Sequence, residues 1–293
     1  MPISSNPPNP NPQPPKFTPP KGACDSHIHI FGPADKYPFD DGAAYHSPDA
    51  LPETYIELQE TLGLERAVII HPTALGRGAN ARTIDALTQY PDRFRGVAVP
   101  DADVDDATLR RMHAAGVCGC RFTSVGQYKN APKLDKDLAA RVADLGWHAQ
   151  FLLEGEQIPD MADELLALPC NVVIDQMGRL PAHMGTDHPA FQALLRMLDS
   201  GRVWVKLSGP MRFSGEDRMP YADTLPFARA LVAANPERLV WGSDWPHINY
   251  NHGQMPNDGA LLDMMLDWVP DPATRDRILA DNAAALYDFP REP

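Results

Sequence analysis

The chain has 293 residues, is 43% hydrophobic and carries a formal charge of −13, so it can bury a large core, while its acidity argues against a nucleic-acid partner. No apolar run is long enough to cross a bilayer, which excludes a membrane-spanning partner role. The opening "MPISSNPPNPNPQPPKFTPPKG" lacks the basic, apolar, small-residue order of a secretory leader, so the expected location is cytoplasmic.

Residues 1–22 are dense in Pro, Asn and Gln. Such a segment cannot bury enough apolar surface to offset the entropy of ordering, so it is expected to be a disordered arm. It could instead drape over a second copy of the chain in a homo-oligomer. Residues 23–293 read as one domain in which short β-rich runs alternate with helical patterns. The runs are "CDSHIHIF", "RAVIIHP", "FRGVAVP", "CGCRFTS", "WHAQFLL", "NVVIDQMG", "VWVKLSG" and "RLVWGSDWP". Between them, segments such as "PETYIELQETLG" and "DDATLRRMHAAG" start after Asp, Asn or Pro and stop at Gly or Pro, as helix caps require. "DGALLDMMLDWVPDPATRDRILADNAAALYDF" closes the chain as two helices. Eight strands alternating with helices imply a parallel sheet with crossover helices, and the count fits a (β/α)8 TIM barrel. A doubly wound open sheet fits less well, because no glycine-rich phosphate loop follows an early strand. The segment from Gly32 to Pro52 is the longest insert and should lie over the active face. Cys24, Cys118, Cys120 and Cys170 sit in or beside strands and are expected to be small reduced thiols.

Barrel enzymes keep their chemistry at the C-terminal strand ends. Those ends offer His27 and His29, His71, Arg121, Leu152, Asp175 and Gln176, Lys206 and Ser208, and Asp244 with His247. Side chains repeat every second residue along a strand, so His27 and His29 share one side. Closure of a barrel brings Asp244 beside them. Asp175 should point opposite to Gln176 and serve the structure. His247 is placed to hold its loop. No G-x-S-x-G elbow is present, which disfavours a serine hydrolase.

The stretches "DSHIHIFGP", "LGWH", "VIDQMGRLP" and "WGSDWPH" resemble motifs of the amidohydrolase superfamily, in its branch containing 2-pyrone-4,6-dicarboxylate lactonase. The resemblance runs from about Cys24 to the C-terminus. It implies a barrel enzyme of aromatic-compound breakdown that hydrolyses the lactone ring of a small anionic metabolite. It also implies roles: Asp244 as the base that activates water, and His27, His29 and the residue at Gln176 as groups that polarise the carbonyl. Arg121 and Arg212 align with arginines that bind substrate carboxylates, the other reading being a salt bridge to a nearby acid. Tyr45 matches a loop tyrosine, and His71 could line the pocket.

Glutamine stands at Gln176 where the branch has histidine. It keeps a hydrogen-bond donor but cannot carry charge. It therefore reads as a neutral donor in an enzyme with another substrate, as an introduced substitution, or as the mark of a non-catalytic ligand-binding homologue. Gln127 and Lys129 replace a further arginine and Leu152 replaces a tyrosine, which favours muconolactone-like or sugar-acid lactones over the pyrone dicarboxylate. No metal is required on this reading, although His27, His29 and Asp244 supply the three ligands of a catalytic zinc-type site. The competing activities are a metal-dependent decarboxylase or hydratase and a lactone isomerase of the same superfamily.

Overall fold

The computed structural model describes residues 2–125, 133–251 and 253–290, so Gln127 and Lys129 lie outside the described residues. Eight strands form one parallel sheet in chain order: β1 Cys24–Ile28, β2 Arg66–Ile70, β3 Phe94–Ala98, β4 Val117–Thr123, β5 His148–Leu152, β6 Val172–Ile174, β7 Val203–Ser208 and β8 Leu239–Gly242. The sheet closes on itself. The amide of Asp244 donates to the His27 carbonyl at 2.9 Å, and the amide of His29 donates to the Trp245 carbonyl at 2.8 Å. This is the (β/α)8 barrel that the strand count implied.

The crossover helices are α1 Pro52–Leu62, α2 Ala81–Gln89, α3 Asp106–Ala114, α4 Lys136–Ala143, α5 Ile158–Leu166, α6 Pro189–Asp199, α7 Leu225–Ala234 and α8 Asp258–Trp268. Their boundaries follow local chemistry. Asp105 and Asp135 accept the amides of Thr108 and Leu138 to start α3 and α4, satisfying donors that a helix leaves orphaned. Gly63 ends α1 in the left-handed region. The last expected helix runs from Pro272 to Tyr287 with a wider turn over Arg277–Asp281.

Two apolar layers result. Cys24, Val68, Ile70, Val97, Val173 and Val240 belong to one cluster with Trp204 and the closing helix, across the barrel floor. Ile28, Ile69, Leu58 and Leu62 belong to the larger cluster between sheet and helices. All four cysteines are free, and burial pushes the thiols of Cys24, Cys118 and Cys120 up.

Residues 2–22 do not behave as the loose arm expected from composition. Ile3–Ser4 forms a short parallel ladder with Tyr45–His46 of the β1–α1 insert. Farther along, Asn257 donates to the Asn11 carbonyl at 2.9 Å, and Asp263 accepts from the Lys16 amide at 2.6 Å. The physical reason is that a proline-rich chain loses little backbone entropy on ordering, while side-chain amides and carboxylates of the barrel replace the missing ladder partners.

Candidate active site

A β-bulge sets the direction of the two histidines. Cys24 belongs to the barrel-floor cluster, so strict alternation would carry Ser26 and Ile28 inward. The pairing of β1 with β2 slips between Asp25 and Ile28. Ile28 joins the helix-side cluster instead, and His27 and His29 both face the barrel interior. Opposite them, Gly242 leaves room for this approach, since a Cβ there would lie 2.7 Å from that of His27. Asp25 turns the other way and clasps the seam: its carboxylate accepts from the amides of His27 and Ser243 and from the Tyr55 hydroxyl.

Asp244 follows β8 with φ +67°, a left-handed conformation uncommon for a residue with a Cβ. Its Oδ2 accepts from Arg212 Nε at 2.7 Å and from the Gln176 amide at 3.3 Å. Its Oδ1 lies 3.5 Å from His27 Nε2 and 3.8 Å from His29 Nε2. Burial pushes the Asp244 carboxyl up, but Arg212, His27 and His29 outweigh it and hold it down at about 2.

Asp175 lies on the interior side, contrary to the expectation from alternation with Gln176. Val173 belongs to the barrel-floor cluster, and Asp175, two residues on, keeps that direction. The chain then leaves extended geometry: Gln176 adopts φ +52°, which turns its side chain to the interior as well. Gly209 makes this fit, since a Cβ there would lie 2.8 Å from Gln176 Cγ. Asp175 Oδ2 accepts from Arg121 Nε and Nη2 at 3.2 and 3.0 Å and from Gln150 at 3.1 Å. Its Oδ1 faces His27 Nδ1 at 3.2 Å and Lys206 Nζ at 3.6 Å. Burial pushes this carboxyl up, yet His27, Lys206 and Arg121 keep it well below the usual carboxylate range. Lys206 also donates to the Ser26 carbonyl and to Gln150, and burial pulls its ammonium down to about 8.

Burial lowers both imidazoles, His29 well below its ordinary value with His27 and Arg121 adding to the effect. His29 Nδ1 lies 2.8 Å from the Ile70 carbonyl, so that nitrogen carries the proton and a neutral ring turns its Nε2 lone pair towards Asp244. His27 Nδ1 lies between Asp175 Oδ1 at 3.2 Å and the donor Lys206 Nζ at 3.4 Å. A neutral His29 in this tautomer offers an acceptor at Nε2. The two Nε2 atoms and Asp244 Oδ1 lie within 4.8 Å of one another, and neither His27 Nε2 nor Asp244 Oδ1 has a hydrogen-bond partner among the described residues. Three converging lone-pair donors of this kind can hold a divalent cation.

A cavity of about 390 Å³ opens above this cluster. Arg121, Gln176, Arg212 and Asp244 border it with His29 and Leu152. Arg121 and Arg212 are each paired with a carboxylate, the salt-bridge reading of the sequence, and both still present a face to the cavity. Arg179, which sequence reasoning did not single out, also borders it and lies 3.9 Å from Glu154. Two expected contacts sit elsewhere. His71 places Nε2 2.9 Å from the Gly76 carbonyl and Nδ1 3.4 Å from the Thr83 hydroxyl, and burial lowers it to about 4. Tyr45 is buried, its ring edge-on to Phe31. Neither borders the cavity. His247 pairs with Asp258 at 3.0 Å and so holds the loop after β8, as expected.

Comparison with known proteins adds an independent line. The amidohydrolase family profile matches residues 24–289. A 4-sulfomuconolactone hydrolase of Hydrogenophaga intermedia is 36% identical over 277 residues, 93% of this chain and 90% of its own. A 2-pyrone-4,6-dicarboxylate hydrolase of Comamonas testosteroni is 36% identical over 293 residues, 96% of this chain and 95% of its own. A D-galactarolactone isomerase of Agrobacterium fabrum is 33% identical over 273 residues, 92% of this chain and 91% of its own.

Proposed function

The chain belongs to the amidohydrolase family, and on that premise we propose that it is a lactonase, opening the ring of a small anionic lactone of the muconolactone, pyrone-dicarboxylate or sugar-acid kind. The observation that carries this reading is one cavity bordered by an ionised Asp244, the neutral His29 imidazole and the guanidinium groups of Arg121 and Arg212, with His27 buried beside Asp244. Full-length relatives named as lactone hydrolases support it.

In the reaction, Asp244 Oδ1 and His29 Nε2 accept the protons of the attacking water. Water oxygen adds to the lactone carbonyl carbon as one proton passes to this acceptor cluster. The growing oxyanion is met by the donors that flank Asp244, the Gln176 amide and Arg212, and by Arg121 on the same cavity lining. The carbon–oxygen bond of the ring then breaks, and the leaving ring oxygen takes the proton back. Arginines bordering the cavity meet the substrate's own anionic groups, which an acidic protein could not otherwise attract.

His27, His29 and Asp244 would hold a metal if one bound, and it would supply Lewis-acid polarisation of the carbonyl. We place no requirement on it, because the buried charges already run positive. Arg121, Arg212 and Lys206 surround Asp175 and Asp244, and a further divalent charge there is costly. The expected result is that chelator-treated protein opens anionic lactones at an undiminished rate and incorporates heavy oxygen from labelled water. Activity that returns only with added zinc or manganese would make the cluster a metal centre and favour the decarboxylase or hydratase activities. An isomerase relative keeps one other activity in view: ring transfer without label from water would establish it. A cytoplasmic setting is part of the same proposal and suits the four free cysteines.

A further inference from the structure

Ile3 is the one exposed large hydrophobic side chain among the described residues, at 53% exposure. A single exposed apolar residue ordinarily needs no explanation. This one differs in its place. It borders the same cavity as Asp244 and Arg121, and the backbone on either side of it is fixed to two active-face loops. On the β1 side, the amide of Ile3 donates to the Ala44 carbonyl at 3.0 Å and that of Ser5 to the His46 carbonyl at 2.7 Å. On the β8 side, the Ser5 hydroxyl accepts from the Asn249 amide at 2.9 Å. Asn251 donates to the Ser4 carbonyl at 2.8 Å and accepts from the Asn6 amide at 3.0 Å. Two of these partners, Asn249 and Asn251, border the cavity themselves.

From this geometry we infer that the amino-terminal arm is part of the substrate site, and that Ile3 is a specificity-determining residue of the lactonase. The cavity lining is otherwise rich in charged and amide groups, with Leu152 and Ile248 as its other apolar members. A lactone has two kinds of surface: anionic substituents, which the arginines meet, and an uncharged ring edge, which needs an apolar wall to displace water. Ile3 supplies wall at the mouth, where a substituent projecting from the ring would pass. Farther along, the arm is also held to the barrel through Asn257 and Asp263. It completes a pocket that the strand-end loops leave open.

This inference rests on the lactonase reading, and its test separates the two. The variants Ile3→Ala and Ile3→Asp are compared with wild type in two measurements: kcat/KM over a panel of anionic lactones, and the Kd of isophthalate, a stable planar dicarboxylate that cannot be hydrolysed. Ile3→Ala is expected to lose about tenfold in kcat/KM, mainly through KM, and to alter the ranking of lactones. Ile3→Asp should lose more, with a deficit that shrinks as salt rises, because the new carboxylate repels the ligand. Both should keep the wild-type melting temperature. Unchanged kcat/KM and unchanged isophthalate binding in both variants would overturn the inference. If wild type opens no lactone, the lactonase reading fails, and isophthalate binding alone decides the role of Ile3. If wild type neither opens a lactone nor binds isophthalate, both fall.

Discussion

Asp244 and Asp175 are both buried carboxylates held ionised, but by different partners and for different ends. Asp244 keeps one oxygen for Arg212 and Gln176 and turns the other to the two imidazoles. Asp175 accepts from Arg121 and Gln150 through Oδ2 and turns Oδ1 towards His27 and Lys206, so it neutralises two buried cations. Replacing Asp175 by Asn should leave Arg121 and Lys206 buried against a neutral amide. The expected cost is about 3–5 kcal/mol of stability, read as a lowered denaturant midpoint; an unchanged midpoint would show that these charges are not balanced through Asp175. Much of this cluster was legible in the sequence. His27, His29 and Asp244 could be placed from the H-x-H spacing and barrel closure, and Arg121 and Arg212 were open between salt bridge and ligand contact. Asp175 was expected to serve the structure from the opposite side, Lys206 was read only as a strand-end residue, and Gln150 and Arg179 were not singled out. Alternation fails where β6 ends, so the sequence could not show that Asp175 and Gln176 face the same interior.

At the scale of elements, the strands are ordered by apolar runs, yet the site depends on where that order is interrupted. The slip in β1 turns His27 inward, and the left-handed residues after β6 and β8 aim Gln176 and Asp244. Such interruptions have no compositional signature in this chain. Buried histidines bear on acid stability. His148, on the interior face of β5 beneath Gly119, is lowered to about 3, and His71 to about 4, both chiefly by burial. Between those values and the unfolded value near 6.5, the unfolded chain binds protons that the folded chain does not. Stability is therefore fully present above the unfolded value and is lost as pH falls towards 4. Asp25, raised by burial to about 6, works in the opposite direction. Comparison with a variant lets that contribution cancel. The His148→Leu protein should lose about 3 kcal/mol less than wild type between pH 6.5 and 4, measured by denaturant titration across pH. Parallel pH curves for the two proteins would remove His148 as a source of acid sensitivity.

Across the whole molecule, the barrel and its closing helices were readable because eight strand–helix units repeat in order. The arm was misjudged because composition weighs what a segment can bury by itself. Here the surface that orders it belongs to distant residues such as Asn251, Asn257 and Asp263. With the arm in place, one face of the barrel carries the acceptor cluster, the arginines and the apolar mouth together. The account stands most directly on Asp244 as the base of a lactone-opening reaction. The deciding measurement is base consumption at constant pH by wild type and by Asp244→Asn over the same anionic lactones, with folding checked by circular dichroism. Hydrolysis frees a carboxylic acid that ionises, so wild type should consume one equivalent of base per ring opened, and the variant should be slower by roughly 10²–10⁴ in kcat. No base consumption by wild type on any lactone, or an Asp244→Asn protein as fast as wild type, would contradict it.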